Sequence, residues 1–155
     1  EGDPGHRRAP PEPRGQPSLV LTLVDPAHDQ DGFLTLKDVI EDLDLNADLA
    51  ILSACNTAGD GENTANGEGF AGMTRAFLFA GARHLWVSHW AVDSAAARDL
   101  TTAAVRALET EQPDPAAALA QAQRAVRVGI VQPQPDTHLA RAHPYFWAPF
   151  VTVGD

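Results

Sequence analysis

Apolar and polar positions along the chain change period several times, and each change marks an element. Leu49 to Leu52 is a short continuous apolar run, the pattern of a strand buried on both faces inside a parallel sheet. It stops at Ser53-Ala54-Cys55-Asn56-Thr57, and a loop rich in Gly and Asn follows. From about Glu68 to Ala80 the apolar residues return at helical spacing, with Phe70, Met73 and Phe77 flanked by Ala71, Thr74 and Leu78. Gly81 stands where a helix C-terminus favours glycine. Arg83 to Trp90, R-H-L-W-V-S-H-W, predicts a second apolar strand. Asp93 then caps a long alanine-rich helix through about Glu109 that carries Leu100, Val105 and Leu108.

The flanking segments are plainer. Residues 1–17 hold five prolines and three arginines without hydrophobic periodicity, which predicts a disordered Pro-rich tail and places the folded unit at 18–155. Leu19 to Val24 alternates loosely and is β-like. Thr35 is placed to cap a short helix bearing Val39, Ile40 and Leu43. Pro113-Asp114-Pro115 is a helix start with Asp114 as N-cap. That helix shows Leu119, Ala122 and Val126 on one face and ends near Gly129. A polar, proline-containing loop runs to Arg141. His143 to Val153, aromatic and β-branched, predicts a final strand, which Pro149 confines to a sheet edge. The alternation strand–helix–strand–helix–helix–strand is that of an α/β fold with helices covering a sheet.

Composition narrows the functions available. A chain of 155 residues is one domain's worth. A net charge of −10 argues against a nucleic-acid partner and against an anionic membrane surface. No apolar run approaches the roughly 18 residues of a membrane span, and no signal-peptide pattern opens the chain. The single cysteine excludes an internal disulfide and a paired-cysteine metal site, and it fits a cytoplasmic setting. The chain opens at Glu1 and its only methionine is Met73, so it is expected to be a fragment of a longer protein.

Three stretches carry candidate chemistry. Ala27 to Asp38, A-H-D-Q-D-G-F-L-T-L-K-D, spaces Asp29, Asp31, Gly32 and Asp38 like part of a calcium loop. Ala27 stands where the first carboxylate belongs, and a turn at Asp31-Gly32 explains the segment better. Gly67-Glu68-Gly69-Phe70-Ala71-Gly72 spells a dinucleotide-type G-x-G-x-x-G with Asp93 about 20 residues on. Twelve residues separate Ala54 from Gly67, however, so the glycines do not turn directly out of the strand as phosphate binding requires. A nucleotide-binding domain is therefore the weakest function. Cys55 is the third candidate. A lone cysteine is often a small buried hydrophobe, but one just past the carboxyl end of a parallel strand sits where α/β folds carry chemistry. As a nucleophile it needs a base, normally a histidine near in space. Of the six histidines, only His89, late in the second strand, shares the expected rim with Cys55.

Four stretches together, L-A-I-L-S-A-C-N-T-A-G, G-E-G-F-A-G-M-T-R-A-F-L-F-A-G-A-R, V-S-H-W-A-V-D-S and H-P-Y-F-W-A-P-F-V-T-V-G-D, resemble the C-terminal half of a CHAT domain. This is a bacterial caspase-like cysteine peptidase family, similar to caspases and separases and often joined to tetratricopeptide repeats. The resemblance covers about Leu19 to Asp155. It implies a three-layer α/β/α sandwich, incomplete here for want of its N-terminal strands, with the strand before Cys55 left as a sheet edge. It also implies a Cys/His dyad acting on a peptide or protein substrate, with no cofactor or metal. Cys55 matches the nucleophile. The family's histidine belongs to an A-T-H-G-like motif upstream of the segment matching Leu19, and no such motif occurs in this chain. The family's W-x-V-D, here Trp90-Ala91-Val92-Asp93, borders the substrate cleft, so Asp93 is implied as a substrate-binding residue favouring a basic P1 side chain. Its plain role as an N-cap stands beside that. His89 replaces a usually apolar residue. A non-catalytic CHAT module acting through protein contacts is the alternative.

Overall fold

The structure is a computed structural model, and it describes residues 18–21, 32–53, 68–110, 114–129 and 143–154. Strands β3 (Ala47–Leu52), β4 (Ala82–Ser88) and β5 (Phe150–Gly154) form a sheet in the order β3-β4-β5. β3 and β4 run parallel, with Leu49 opposite His84 and Leu52 opposite Val87. β5 runs antiparallel to β4, with Ser88 opposite Phe150 and His84 opposite Gly154. Among the described residues β3 and β5 are the two edges of this sheet.

Side chains alternate across the sheet, and each face finds its own helix layer. Leu85, Val87 and Leu52 face helix α2 (Glu68–Phe79) and helix α1 (Leu36–Glu41), joined by Met73, Ala76, Phe77 and Val39. A small hairpin, β1 (Ser18–Val20) against β2 (Phe33–Thr35), adds Leu19 and Leu34 to this core. On the opposite face Trp86 and Phe150 meet helices α3 (Ser94–Thr110) and α4 (Pro115–Arg127). The buried residues of α3 are Ala96, Ala97, Leu100, Ala104 and Ala107. Such small side chains let the helix backbones come close to each other and to the fully buried Trp86 ring. The Trp86 indole N–H donates to the Pro115 carbonyl at 3.2 Å, so its one polar atom is satisfied inside the core. The result is a mixed α/β fold of three layers, helices, sheet and helices.

The helix starts follow the capping residues read from the sequence. Thr35 and Asp38 form a capping box on α1, with the Thr35 N–H donating to Asp38 Oδ2 at 2.8 Å and the Asp38 N–H to Thr35 Oγ1 at 3.3 Å. Asp114 accepts from the Ala116 N–H at 3.0 Å, with Pro115 opening α4. Several boundaries differ from the sequence expectation. β3 begins at Ala47 because Asp48 points outward and pairs with Arg83 of β4 at 2.9 Å. β4 ends at Ser88, before His89 and Trp90. α1 ends at Glu41, so Leu43 packs on the core from beyond the helix and Ile40 is exposed. Ala71 is exposed on the outer side of α2, away from its apolar face.

The single strand expected from His143 to Val153 is instead a helical turn, α5 (Pro144–Trp147), followed by β5. The reason is local. Pro144 fits the first helical position, and His143 caps the turn by accepting the Tyr145 N–H on Nδ1 at 3.2 Å. The strand becomes possible only after Pro149, which has no N–H to give. The proposed tail at 1–17 lies outside the described residues.

Candidate active-site rim

Because β3 and β4 are parallel, both end at the same rim of the sheet, their last paired residues being Leu52 and Val87. β5 starts at that rim, since Phe150 lies opposite Ser88. The pairing continues one step past β4, where the His89 N–H donates to the Pro149 carbonyl at 2.9 Å. This bond ties the exit of β4 to the segment that follows α5. Trp90 completes the tie through its indole N–H, 3.5 Å from the Tyr145 carbonyl. Tyr145 in turn meets Phe146 edge to face, with centroids 5.2 Å apart and planes at 85°. The rim is therefore an aromatic shelf built from the β4 exit and α5.

Val92 is buried beneath this shelf and anchors the loop that delivers Asp93 to α3. The Asp93 carboxylate accepts from the Ala96 N–H at 2.9 Å, and its carbonyl accepts from the Ala97 N–H at 2.8 Å. The residue implied as a substrate contact is thus the N-cap of α3, with one carboxylate oxygen holding the helix start. Asp93 is half-buried at the rim, so the cap also fixes a carboxylate beside it.

The other candidates separate clearly. His89 is exposed at the rim. His84 lies at the opposite end of β4, opposite Leu49 and Gly154. His143 caps α5. Cys55 lies outside the described residues, and Ser53 is the last described residue before it. Of the calcium-loop imitation, Ala27, Asp29 and Asp31 lie outside the described residues, and Asp38 is committed to the α1 capping box. Of the dinucleotide-like glycines, Gly67 lies outside them too. Gly69 and Gly72 fall inside α2, and a β-carbon at Gly72 would meet Leu36 at an ordinary 3.7 Å. Gly69 and Gly72 are thus helix positions and form no phosphate-binding turn. Among the described residues no group of three or more His, Cys, Asp or Glu side chains is placed to hold a metal ion. No described helix is long and apolar enough to cross a membrane.

Sequence reasoning missed the contribution of α5. Its signal was the pair His143-Pro144, a cap followed by a first-turn proline, hidden inside a stretch rich in strand-forming residues.

A model of the CHAT domain family matches residues 5–155. The chain belongs to the CHAT domain family. No curated protein and no solved structure gives a match. Membership places the three layers within a caspase-like family, and it gives the rim at the ends of β3 and β4 its interest. In this CHAT domain the strand leading to the S-A-C-N-T-A segment is β3, and the W-x-V-D segment is the link from β4 to α3.

Proposed function

We propose that this CHAT domain carries the nucleophile of a caspase-like cysteine endopeptidase, with Cys55 as that nucleophile. The observation behind this is the parallel pairing of β3 with β4, which brings the chain just before Cys55 to the rim that holds His89, Trp90 and Asp93. Cys55 follows Ser53 by two residues, a reach of no more than about 7 Å of extended chain. The Cys55 thiolate attacks a peptide carbonyl and expels the amine, which takes its proton from a histidine. Water then releases the acyl group from sulfur. Backbone N–H groups at the rim stabilise the oxyanion, each worth roughly 3 kcal/mol in such sites.

The histidine of this dyad belongs to an A-T-H-G-like motif that residues 1–155 do not contain. We therefore take residues 18–155 as the C-terminal part of the domain, with the base supplied from outside it and this chain inactive or nearly so alone. The further strands of the sheet would then pair along the outer side of β3. The substrate is a peptide or protein, the setting cytoplasmic, and tetratricopeptide repeats in the same protein are the expected accessory module. A basic P1 residue would meet Asp93.

The test is peptide hydrolysis by the longest natural form of the protein. Cys55→Ala should lower kcat/KM by roughly a thousandfold or more, and His89→Ala should leave it within about threefold. A non-catalytic module, the second reading, is favoured by the missing motif histidine and by the capping duty of Asp93. It predicts no hydrolysis in any form of the protein and partner binding unchanged by Cys55→Ala.

A further inference from the structure

Beside the rim, α4 and α5 enclose a groove of about 180 Å3 lined by Ala120, Gln123, Arg124, Arg127 and Trp147. Its position is set by two contacts. Gln123 Nε2 donates to the Phe150 carbonyl at 2.8 Å, and Phe150 is the residue of β5 opposite Ser88 at the end of β4. Trp147 closes α5, the same turn that braces Trp90. The groove thus lies on the β5 side of the sheet, next to the α5 turn that reaches the rim.

Its charge is unusual for this molecule. In a chain of net charge −10, two guanidinium groups sit one turn apart on one helix face. Arg127 stands over the Trp147 ring, 5.9 Å from its centroid, an arrangement that holds the guanidinium without neutralising it. Among the described residues the ion pairs are Lys37–Glu41, Arg83–Asp48 and Arg98–Asp99, and none involves Arg124 or Arg127. The helix dipole accounts for a positive charge in the last turn of α4. It does not account for two forked donors bordering one concavity with an aromatic wall.

From these contacts we infer that the groove binds an acidic side chain of an extended polypeptide, Asp or Glu, through Arg124 and Arg127. Two parallel N–H···O bonds from a guanidinium to a carboxylate suit this geometry, with the Ala120 methyl and the Trp147 ring taking the side chain's apolar stem. The inference rests on the peptidase reading for its occupant, and it names the substrate class further. Strands lie about 4.8 Å apart, so β5 is about 10 Å from β3, and an extended peptide advances about 3.3 Å per residue. The acidic residue then falls about three to five positions from the scissile bond.

The test separates binding from cleavage. The full protein carrying Cys55→Ala is titrated, at low and at 0.3 M salt (about 0.3 M being high enough to screen exposed charge), with a Ser/Gly-rich decapeptide bearing a Glu-Glu pair and with its Gln-Gln counterpart. The Glu-Glu peptide should bind about tenfold more tightly at low salt, and less so at high salt. The double variant Arg124→Gln/Arg127→Gln should remove the preference, while Arg124→Lys/Arg127→Lys, which keeps the charge facing the helix dipole, should retain only part of it. Thermal melts of each variant verify that the fold is kept. Equal binding of both peptides, or a preference surviving in the Gln variants, overturns the proposal. So does binding of inorganic phosphate by a protein that ignores the Glu-Glu peptide. A protein that shows the preference but never hydrolyses peptides retains the groove assignment and loses the peptidase. One that hydrolyses through Cys55 without any charge preference does the reverse.

Discussion

At the end of the sheet where β3 and β4 begin, backbone is fitted against backbone. The Leu45 N–H donates to the Ala80 carbonyl, and Gly81 turns the chain from α2 into β4 with φ at 105°. A β-carbon at Gly81 would overlap the Leu45 carbonyl oxygen, and one at Gly154, where φ is 133°, would overlap that of Arg83. At the other end, where β3 and β4 stop, one backbone bond from the His89 N–H to the Pro149 carbonyl is joined by several connections through side chains. Trp90 reaches Tyr145, Asp93 caps α3, His143 caps α5, and His89 stands exposed. One end leaves no room for variation because main-chain atoms already fill it. The other presents ionisable and aromatic groups that substitution can change while the sheet stays intact. That contrast is what the proposed placement of chemistry at one rim requires of the fold.

The contrast breaks most visibly at the glycines. Gly81→Ala should cost on the order of 3 kcal/mol, from a positive φ and an overlap with backbone that cannot move aside. Chemical denaturation measures it, and a loss below about 1 kcal/mol would mean that this end is not closed as described. At the rim the cost should be smaller and should depend on chemistry. Asp93→Ala removes the α3 cap and should cost about 1 kcal/mol, whereas Asp93→Asn, an equally good cap, should be nearly neutral. If Asp93 also receives a basic P1 residue, the Asn variant alone separates the roles, with stability kept and preference for a basic substrate lost.

The smallest effect lies away from both ends. The Thr35 backbone N–H and side chain hold the Asp38 carboxyl below its ordinary value of 3.8, outweighing an opposing desolvation, with Lys37 assisting. A lowered carboxyl stabilises the fold while it is ionised. Its contribution is therefore present above the ordinary Asp range and is lost as the pH falls below 3.8. Asp38→Asn, which removes the titrating carboxyl while keeping an amide oxygen for the Thr35 N–H, should flatten that part of the stability profile, measured by thermal melts in acid.

Much of this was legible in the sequence, for reasons that are local. The caps at Thr35, Asp93 and Asp114 and the apolar runs of β3 and β4 each depend on neighbours within a few positions. So did the apolar side of α2, where Met73 and Phe77 are buried as their spacing suggested. What escaped was set by competition between signals. Residues 143 to 149 are rich in strand formers, yet a cap and a first-turn proline override them to give α5. β2 is three residues long and offers no period at all. The candidate site was legible as a family motif at Cys55 and Trp90 to Asp93. The arginine groove was not, because Arg124, Arg127 and Trp147 meet only once α4 and α5 pack.

The central claim is that Cys55 is an activated thiolate in the intact protein. Mass spectrometry of the longest natural form, after brief exposure to a peptide bearing a thiol-reactive warhead and a basic P1 residue, tests it directly. The account predicts one adduct, on Cys55, formed at least tenfold faster than with iodoacetamide and abolished by unfolding the protein. Labelling no faster than that of the unfolded chain would contradict it.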